Sequence, residues 1–252
     1  MLAIERRRKI VSRLNSSGKV IVNELAREFD VTEETIRRDL DKLDKEGIAS
    51  KTYGGAVSKS VSALDLPYNV RESVNVEQKE RIAEKLSEII RDGERIMVDS
   101  SSTALYFIKK LKDKKNLTII TNSVKVLLEL ADKPDWTVLS TGGMLKKGAL
   151  SLGGSSAEKM INSYHVDTVV ISCKGLDMSF GVTDSNENDC RIKQAMLECA
   201  ERRILALDSE KIDKKSFIRI CSLADIDVIA TDGEPSDDWL SFCEKNEIEI
   251  IY

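Results

Sequence analysis

Clusters of small polar residues recur through the second half of this sequence, and their residue types suit the binding of an anion. The candidates are Asp99, Ser100, Ser101, Ser102, Thr103, Thr121, Asn122, Gly142 and Gly143. Where such residues open a helix, they supply free backbone N–H groups, hydroxyls and the positive end of the helix dipole, which together suit a phosphate. Lys174, Lys193 and Lys211 are candidates to neutralise that anion. Asp99, Asp177 and Asp184 are candidates to accept hydrogen bonds from sugar hydroxyls.

An alternating series of strands and helices must position these clusters. Short β-prone runs occupy residues 95–98, 117–120, 137–139, 168–171, 203–207 and 228–230. A helix is predicted over residues 76–91, and further helices begin near residues 103, 123, 156, 189 and 235. This alternation predicts a parallel sheet that is covered by helices on both faces. Because ligands bind outside the carboxyl ends of parallel strands, we expect the segments that follow these strands to converge on one crevice.

The composition argues against several other kinds of site. The five cysteines form no Cys-x-x-Cys pair and the only histidine is His165, so we expect reduced thiols, no metal site and no cofactor. No run of about 18 uncharged apolar residues occurs, which predicts a cytoplasmic protein without a membrane partner. The net charge of −4 is unevenly spread, because residues 1–57 hold 12 Lys and Arg against 10 Asp and Glu. Such asymmetry is typical of a DNA-facing head on an acidic body.

The first 57 residues have the pattern of a winged helix-turn-helix. A first helix ends near Gly18, a second spans residues 22–29, and Thr32 can cap a third. The third helix has a buried stripe at helical spacing, formed by Ile36, Leu40 and Leu43. The residues beside that stripe near the helix N-terminus are those with which recognition helices contact base edges. The candidate DNA-binding residues are Thr32, Thr35, Arg37, Arg38, Lys51 and Tyr53.

The wing follows the third helix as a short β-hairpin. Residues 48–51 and 56–57 are its strands, and Tyr53-Gly54-Gly55 is its turn. A small three-helix bundle with solvated arginines is the alternative, but the complete order of elements favours a DNA-binding domain. We therefore divide the chain into a DNA-binding domain at residues 1–57, a linker at 58–75 and an α/β effector-sensing and oligomerisation domain at 76–252. The linker either transmits a change of state or is merely a tether.

Several spaced motifs resemble the DeoR family of bacterial transcriptional repressors. In the head these are Glu5-Arg6-Arg7, Glu24-Leu25-Ala26, Thr35-Ile36-Arg37-Arg38-Asp39-Leu40 and Gly54-Gly55-Ala56. Further along they are residues 99–103, 119–123, Gly142-Gly143, Gly181-Val182-Thr183, Lys193-Gln194-Ala195-Met196 and residues 223–227. The resemblance covers nearly the whole chain. It implies an α/β architecture in which a small winged helix-turn-helix domain precedes a Rossmann-like domain similar to ribose-5-phosphate isomerase. It also implies a response to sugar phosphates or related metabolites.

Three positions depart from the family's pattern. Ser101 stands where many members have glycine, and Lys174 stands where many are uncharged. The segment Asp189-Cys190-Arg191-Ile192 lacks the glutamate that often precedes the lysine matching Lys193. All three changes line the predicted ligand site, so the effector can differ from that of most relatives.

These features together predict a DNA-binding regulator rather than an enzyme. We expect a repressor of a carbohydrate-catabolism operon, whose partners are double-stranded operator DNA and a phosphorylated sugar. A homo-oligomer, either a dimer or a tetramer, would place two heads on two half-sites. The alternative is a sugar-phosphate isomerase-like enzyme that carries a DNA-binding head; a purely structural DNA binder would be more basic. The sequence leaves open whether the ligand releases the DNA or strengthens binding.

Overall fold

The computed structural model describes residues 2–58 and 67–252, which form two compact units that divide between Val74 and Asn75. Residues 59–66, which belong to the predicted linker, lie outside the described part of the chain. Each unit is described by itself below.

The N-terminal unit consists of helices packed on a small antiparallel sheet with the strand order β1-β3-β2. Its elements are α1 (Ala3–Ser17), β1 (Lys19–Ile21), α2 (Val22–Glu28), α3 (Glu33–Lys45), β2 (Ala49–Thr52), β3 (Gly55–Ser58) and α4 (Tyr68–Ser73). The predicted winged helix-turn-helix is confirmed, and β1 is a third strand that the sequence analysis did not predict. A side chain at Gly55 would overlap the carbonyl group of Val20, so the close approach of β3 to β1 requires glycine there.

One apolar cluster forms the core of this unit. It contains the three buried residues that were predicted for α3, namely Ile36, Leu40 and Leu43. Val70 of α4 belongs to the same cluster, and Val74 packs against it. Residues 68–73, expected to be part of an irregular linker, are therefore helical and help to form the core of the N-terminal unit.

A seven-stranded parallel sheet forms the centre of the C-terminal unit, with the order β15-β14-β12-β9-β4-β5-β6. In chain order the elements are α5 (Val76–Glu88), β4 (Arg95–Val98), α6 (Ser102–Lys110), β5 (Thr118–Thr121), α7 (Val124–Leu130), β6 (Thr137–Ser140), β7 (Met144–Lys146), β8 (Ser151–Gly153), α8 (Ser155–Ile161), β9 (Val166–Ile171), β10 (Gly175–Asp177), β11 (Gly181–Asp184), α9 (Glu187–Glu198), β12 (Ala200–Ala206), β13 (Ile218–Cys221), β14 (Val228–Ala230), α10 (Asp237–Lys245) and β15 (Glu249–Ile251). The predicted parallel sheet is confirmed. Its central strands are apolar and buried, because both faces of a parallel sheet are covered.

Two small antiparallel sheets and the edge strand β15 were not predicted. One sheet has the order β10-β11-β13, and the other is the hairpin β7-β8. Their strands are only three or four residues long, too short for alternation to stand out from a turn. The first of these sheets matters for the site, because Lys174 precedes β10 and Asp184 ends β11.

Candidate functional site

The N-terminus of α3 and the wing present the polar groups that were predicted to bind DNA. Thr32 caps α3, since its Oγ1 accepts a hydrogen bond of 3.2 Å from the backbone N–H of Thr35, and the two threonine hydroxyls lie 2.9 Å apart. Lys51 on β2 forms an ion pair with Asp41 of α3. Tyr53, in the turn between β2 and β3, is fully exposed. The structure thus places these candidates on α3, at its cap and on the wing.

Two arginines extend from the exposed side of α3, and each pairs with the glutamate one turn before it. Arg37 Nη2 lies 2.7 Å from Glu33 Oε2. Arg38 Nε lies 3.4 Å from Glu34 Oε1, and the Arg38 side chain is 79% exposed. Both guanidinium groups are therefore accessible to a ligand that can compete with a glutamate.

A buried ion pair, which the sequence analysis missed, joins α1 to α3. Arg6 Nε donates to Asp39 Oδ2 at 2.5 Å, and Arg7 Nη1 lies 3.4 Å from Asp39 Oδ1. The Arg6 and Asp39 side chains are 8% and 5% exposed. The available signal was the position of Asp39 three residues after Ile36, which places a carboxylate on the buried side of the helix.

In the C-terminal unit, Lys193 of α9 lies between two buried carboxylates, and we call Asp99, Asp184 and Lys193 the Lys193 cluster. Its ammonium forms an ion pair with Asp184 and lies 3.5 Å from Asp99 Oδ2. It also donates a hydrogen bond of 2.7 Å to the carbonyl oxygen of Ser172. Of the three N–H donors of the ammonium group, two therefore form hydrogen bonds within the fold, to Asp184 and to Ser172.

Backbone amides hold both carboxylates of the Lys193 cluster in place. Asp99 accepts hydrogen bonds of 3.0 Å from the N–H of Ser101 and 3.1 Å from that of Ser172, and Asp184 accepts one of 2.7 Å from Ser185. Burial alone would raise the pKa of Asp184, but the Lys193 ammonium holds that pKa below its ordinary value. Burial would lower the pKa of Lys193, but the two aspartates raise it above its ordinary value. Lys193 and Asp184 are therefore both charged at neutral pH.

The three lysines that were expected to neutralise an anion all lie near carboxylates. Lys193 contacts Asp99 and Asp184 as described above, and Lys211 Nζ lies 2.9 Å from Asp208 Oδ2. Burial raises the pKa of Asp184, and this effect is opposed first by Lys193 and then by the charge of Lys174. Lys174 therefore also lies close to the cluster. That these lysines neutralise a ligand anion stays a prediction, and within the fold Lys193 already contacts two carboxylates.

The N-terminus of α6 supplies the donors that suit an anion. Ser101 caps this helix, since its Oγ accepts a hydrogen bond of 3.0 Å from the N–H of Ala104. Its φ of −72° is accessible to any residue, so the serine in place of the family's glycine fits without strain. Ser100 is half-buried, whereas Ser102 and Thr103 are buried in the first turn. The first backbone N–H groups of a helix lack partners inside that helix.

Two buried polar atoms on either side of Asp99 have no hydrogen-bond partner among the described residues. Asn122 follows β5, and its Nδ2 donates to the carbonyl oxygen of Leu152 at 2.9 Å, but its Oδ1 has no partner there. Ser172 follows β9, and its Oγ likewise has no partner in the described part of the chain. The two residues are only 4% and 2% exposed. Ser172 was not a candidate, although it directly follows a buried strand, as the candidates do.

The structure brings some predicted site residues together and separates others. The Lys193 cluster lies at the ends of the central strands, and Thr121, which is buried, accepts a hydrogen bond from the N–H of Ser123. Gly142 and Gly143 follow the edge strand β6, whereas Lys211 follows β12, four strands away. At ~4.8 Å between neighbouring strands, those segments are roughly 19 Å apart. The strand ends therefore line one edge, with the ends of β9, β4 and β5 at its centre, and their convergence on a single crevice stays a prediction.

Cys173, which follows Ser172 at the same strand end, is buried. Burial raises the pKa of Cys173 to about 12, so its thiol is protonated at neutral pH. All five cysteines are free thiols. Within residues 2–58 and 67–252, no group of three or more His, Cys, Asp or Glu side chains is arranged to hold a metal ion. No helix in these same ranges is long and apolar enough to cross a membrane.

Two family models match this chain. A DeoR-like helix-turn-helix domain matches residues 6–61, and a DeoR C terminal sensor domain matches residues 74–233. An uncharacterized HTH-type transcriptional regulator of Bacillus subtilis, YulB, is 43% identical over 99% of this chain and 96% of its own length. The L-fucose operon activator of Haemophilus influenzae is 33% identical, with 96% and 97% covered. The glycerol-3-phosphate regulon repressor of Escherichia coli is 28% identical, with 99% of each chain covered.

Solved structures of ribose 5-phosphate isomerases are similar to part of the chain. The isomerase in complex with phospho-erythronic acid has a TM-score of 0.40 at 18% identity, and the match covers 53% of this chain and 52% of that one. The isomerase from Plasmodium falciparum has a TM-score of 0.39 at 13% identity, with the same coverage of 53% and 52%.

Proposed function

This chain belongs to the DeoR family of transcriptional regulators, and from that premise we propose that it represses a carbohydrate-catabolism operon and leaves its operator when a phosphorylated sugar binds. The helix-turn-helix domain implies DNA as one partner, and the sensor domain implies a small-molecule effector. The names of relatives support a carbohydrate-related target, since they include a putative aga operon transcriptional repressor and the glycerol-3-phosphate regulon repressor.

The observation that carries the sugar part of this proposal is the pair of unpartnered polar atoms beside Asp99. Leaving a buried polar group unsatisfied costs about 1–3 kcal/mol, so such atoms mark places where a ligand completes the hydrogen bonding. Asn122 Oδ1 accepts hydrogen bonds, and the Ser172 hydroxyl both donates and accepts. A ligand with several hydroxyl groups meets these requirements. The carboxylates of the Lys193 cluster supply further acceptors at the same strand ends.

The phosphate of the effector binds at the N-terminus of α6 in this proposal. Backbone N–H groups at Ser102 and Thr103, together with the hydroxyl of Ser100, suit an anion there. Lys193 acts through the carboxylates that it holds in place and does not contact the phosphate. The departures from the family's pattern at Ser101 and Lys174 lie beside this binding site and contribute to the choice of sugar.

We propose that the C-terminal unit binds its ligand without chemical turnover. An isomerase would need a carboxylate that is ready to take a proton from the carbon next to a carbonyl group. Asp99 and Asp184 instead accept hydrogen bonds from backbone amides, and Asp184 accepts a further one from Lys193. The lowered pKa of Asp184 makes it a weaker base than an ordinary aspartate.

A ligand screen tests the effector class directly. The full chain is heated with pentose phosphates, hexose phosphates, the unphosphorylated sugars and inorganic phosphate, and its melting temperature is compared. Compounds that raise the melting temperature are then added to the protein bound to its own promoter DNA in a gel-shift assay. We expect at least one sugar phosphate to stabilise the protein and release the DNA. A panel without effect, or a compound that is converted to product, would contradict the proposal.

Introducing a carboxylate at the start of α6 should block the response to the effector. In Ser102→Glu the new negative charge occupies the helix N-terminus, where we place the phosphate. We expect promoter affinity to stay within about twofold of the wild-type value while release by the active sugar phosphate is lost. Gel shift with and without that compound measures both. Ser102→Gln is the uncharged control of the same length and should retain a weakened response; full release from Ser102→Glu would refute the phosphate position.

In the same proposal, α3 and the wing bind the operator. Thr35 and Arg38 reach base edges near the start of the recognition helix, and Arg37 and Lys51 contact phosphates. A homo-oligomer places two heads on half-sites about 34–36 Å apart, or a multiple of that distance. Effector binding needs to shift the affinity by only ~1–3 kcal/mol, or about 5–150-fold, to switch the operon.

Removing the most exposed arginine of α3 should weaken operator binding selectively. We expect Arg38→Ala to lose about 1–3 kcal/mol of operator affinity, because the contact of one arginine with a base contributes about that much binding free energy. Fluorescence anisotropy with promoter DNA measures the loss, and the melting-temperature shift caused by the active sugar phosphate should be unchanged. Arg13→Ala is the control, since it removes an exposed arginine of α1 that pairs with Glu28. Equal effects of the two substitutions would remove Arg38 from the interface.

A further inference from the structure

The cations on the proposed DNA-binding face are held by carboxylates of the same unit. We call Arg37, Arg38 and Lys51 the recognition cations and Glu33, Glu34 and Asp41 their acidic partners. Arg37 and Arg38 pair with the glutamates one turn before them at 2.7 and 3.4 Å, and Lys51 on the wing pairs with Asp41 of α3. The side chains in these pairs are 39–79% exposed, so the pairs lie on the surface that is to meet DNA.

A contribution to the stability of the fold does not fully explain why a carboxylate lies beside each recognition cation. Exposed ion pairs contribute only about 0–1 kcal/mol, and pairs one turn apart on a helix about 0.3–0.5 kcal/mol. Glu33 and Glu34 also interact favourably with the helix dipole, because they lie in the first turn of α3. Asp41 has no such role, since it lies beyond the first turn and contacts a lysine of another element.

Paired charges affect the two kinds of DNA binding differently. Binding to random DNA depends on Lys and Arg contacts with phosphates and on the counterions that these contacts release. A carboxylate beside each cation keeps the local charge near zero and repels the phosphates of the DNA. Residues 1–57 carry 12 basic and 10 acidic side chains, so little general attraction remains elsewhere in the head. On a matching sequence, both members of a pair find partners, since guanine accepts from arginine and the cytosine amino group donates to a carboxylate.

We propose that the acidic partners are specificity-determining residues: they suppress binding to non-operator DNA and leave the recognition cations available to a matching sequence. This inference goes beyond the effector switch and rests on the proposed contact of α3 and the wing with DNA. In this inference the acidic partners weaken binding to random DNA, although they lie on the proposed binding face itself.

Neutralising two acidic partners tests this inference. The full-length variant Glu33→Gln/Glu34→Gln keeps the length and helix propensity of the side chains and removes only the charges. Its affinity is measured by fluorescence anisotropy for a duplex from the protein's own promoter and for a random-sequence duplex of equal length. Both measurements are repeated over a series of salt concentrations. We expect binding to random DNA to tighten about tenfold and its logarithmic salt dependence to steepen by about 1–2, since two arginines become free to contact phosphates. Promoter affinity should change less, so the ratio of the two affinities falls.

Matched variants separate this effect from a general change of charge. Glu28→Gln removes one negative charge from an exposed ion pair outside α3 and the wing, in which Glu28 lies 2.9 Å from Arg13. Asp41→Asn tests the pair on the wing and should also lower the affinity ratio. The inference is overturned if the ratio is unchanged in the double variant, or if Glu28→Gln lowers it equally. The proposed DNA contact fails separately, if Arg38→Ala retains full promoter affinity.

Discussion

Replacing Lys193 with methionine should destabilise the C-terminal unit by about 3–5 kcal/mol, because removing one partner of a buried ion pair leaves the other uncompensated. Methionine fills a similar volume, so the cost comes from the charges and not from a cavity. Asp99 and Asp184, at 1% and 2% exposure, would be left without the ammonium that they share. Both tryptophans of the chain, Trp136 and Trp239, lie in this unit, so fluorescence-detected urea unfolding of the full chain reports on it specifically.

The pH dependence of this variant has a predictable sign. In the wild type, burial opposes ionisation of Asp184 but Lys193 lowers its pKa, so Asp184 stabilises the fold above its unfolded-state pKa. That contribution is lost as the pH falls through the lowered value. Without Lys193, burial is opposed only by the charge of Lys174 and the backbone N–H of Ser185, so the pKa of Asp184 rises. Ionisation at neutral pH then becomes destabilising, and protonation relieves the cost. The stability gap between variant and wild type should therefore narrow from about pH 7 to about pH 5.

The same substitution at an exposed pair is the control. Lys146 lies 2.7 Å from Asp189, and the two side chains are 38% and 31% exposed. Lys146→Met should cost no more than about 1 kcal/mol, because solvent screens such a pair. In Lys193→Met/Asp184→Asn, removal of one stranded carboxylate should restore part of the lost stability. A loss for Lys193→Met no larger than for Lys146→Met would show that Lys193 does not compensate the buried aspartates.

Much of the fold could be predicted from the sequence, because the relevant signals are local. The spacing of Ile36, Leu40 and Leu43 predicts the buried side of α3, and all three lie in the core. Thr32 was predicted as a helix cap from its position alone, and it caps α3. The alternation of β-prone and helical runs predicted a parallel sheet for the same reason, since each run carries its own periodicity.

The details of the candidate site could not be predicted, because they depend on contacts between distant residues. Lys193 was selected as a candidate to neutralise a ligand anion, but the sequence does not indicate that it contacts Asp99 and Asp184. Asn122 Oδ1 and Ser172 Oγ differ from other polar atoms only in being buried without a partner among the described residues. Residue types suggest which chemistry is present, whereas packing decides which donors and acceptors are already used.

The proposed DNA-binding face of the N-terminal unit could also be predicted only in part from the sequence. The exposure of Arg37 and Arg38 follows from helical periodicity, and the structure agrees. Their pairing with Glu33 and Glu34 was within reach of the sequence, since residues four apart on a helix are neighbours. The burial of Asp39 against Arg6 was harder to predict, because these residues are 33 positions apart in the chain. This pair joins α1 to α3, so we expect it to hold α3 in position.

Replacing Asp39 with alanine should destabilise the N-terminal unit by about 3–5 kcal/mol and abolish promoter binding, although Asp39 itself is too buried to contact DNA. The substitution leaves the guanidinium of Arg6, 8% exposed, without its carboxylate and also removes the partner of Arg7. Hydrogen exchange of the full chain measures the effect, since amides of α1 and α3 should lose protection while those of the central sheet keep theirs. The tryptophan-detected unfolding of the C-terminal unit should be unchanged.

Two further variants distinguish a positioning role of Asp39 from a direct contact with DNA. Arg6→Met/Asp39→Leu replaces the buried pair with apolar side chains, which is often neutral or stabilising, so protection of α1 and α3 and promoter binding should both recover. Glu28→Ala breaks the exposed pair with Arg13 and should cost no more than about 1 kcal/mol. If the double variant regains protection but not promoter binding, Asp39 acts on DNA rather than through the position of α3. If Asp39→Ala leaves the exchange of α1 and α3 unaltered, the buried pair does not hold the recognition helix in place.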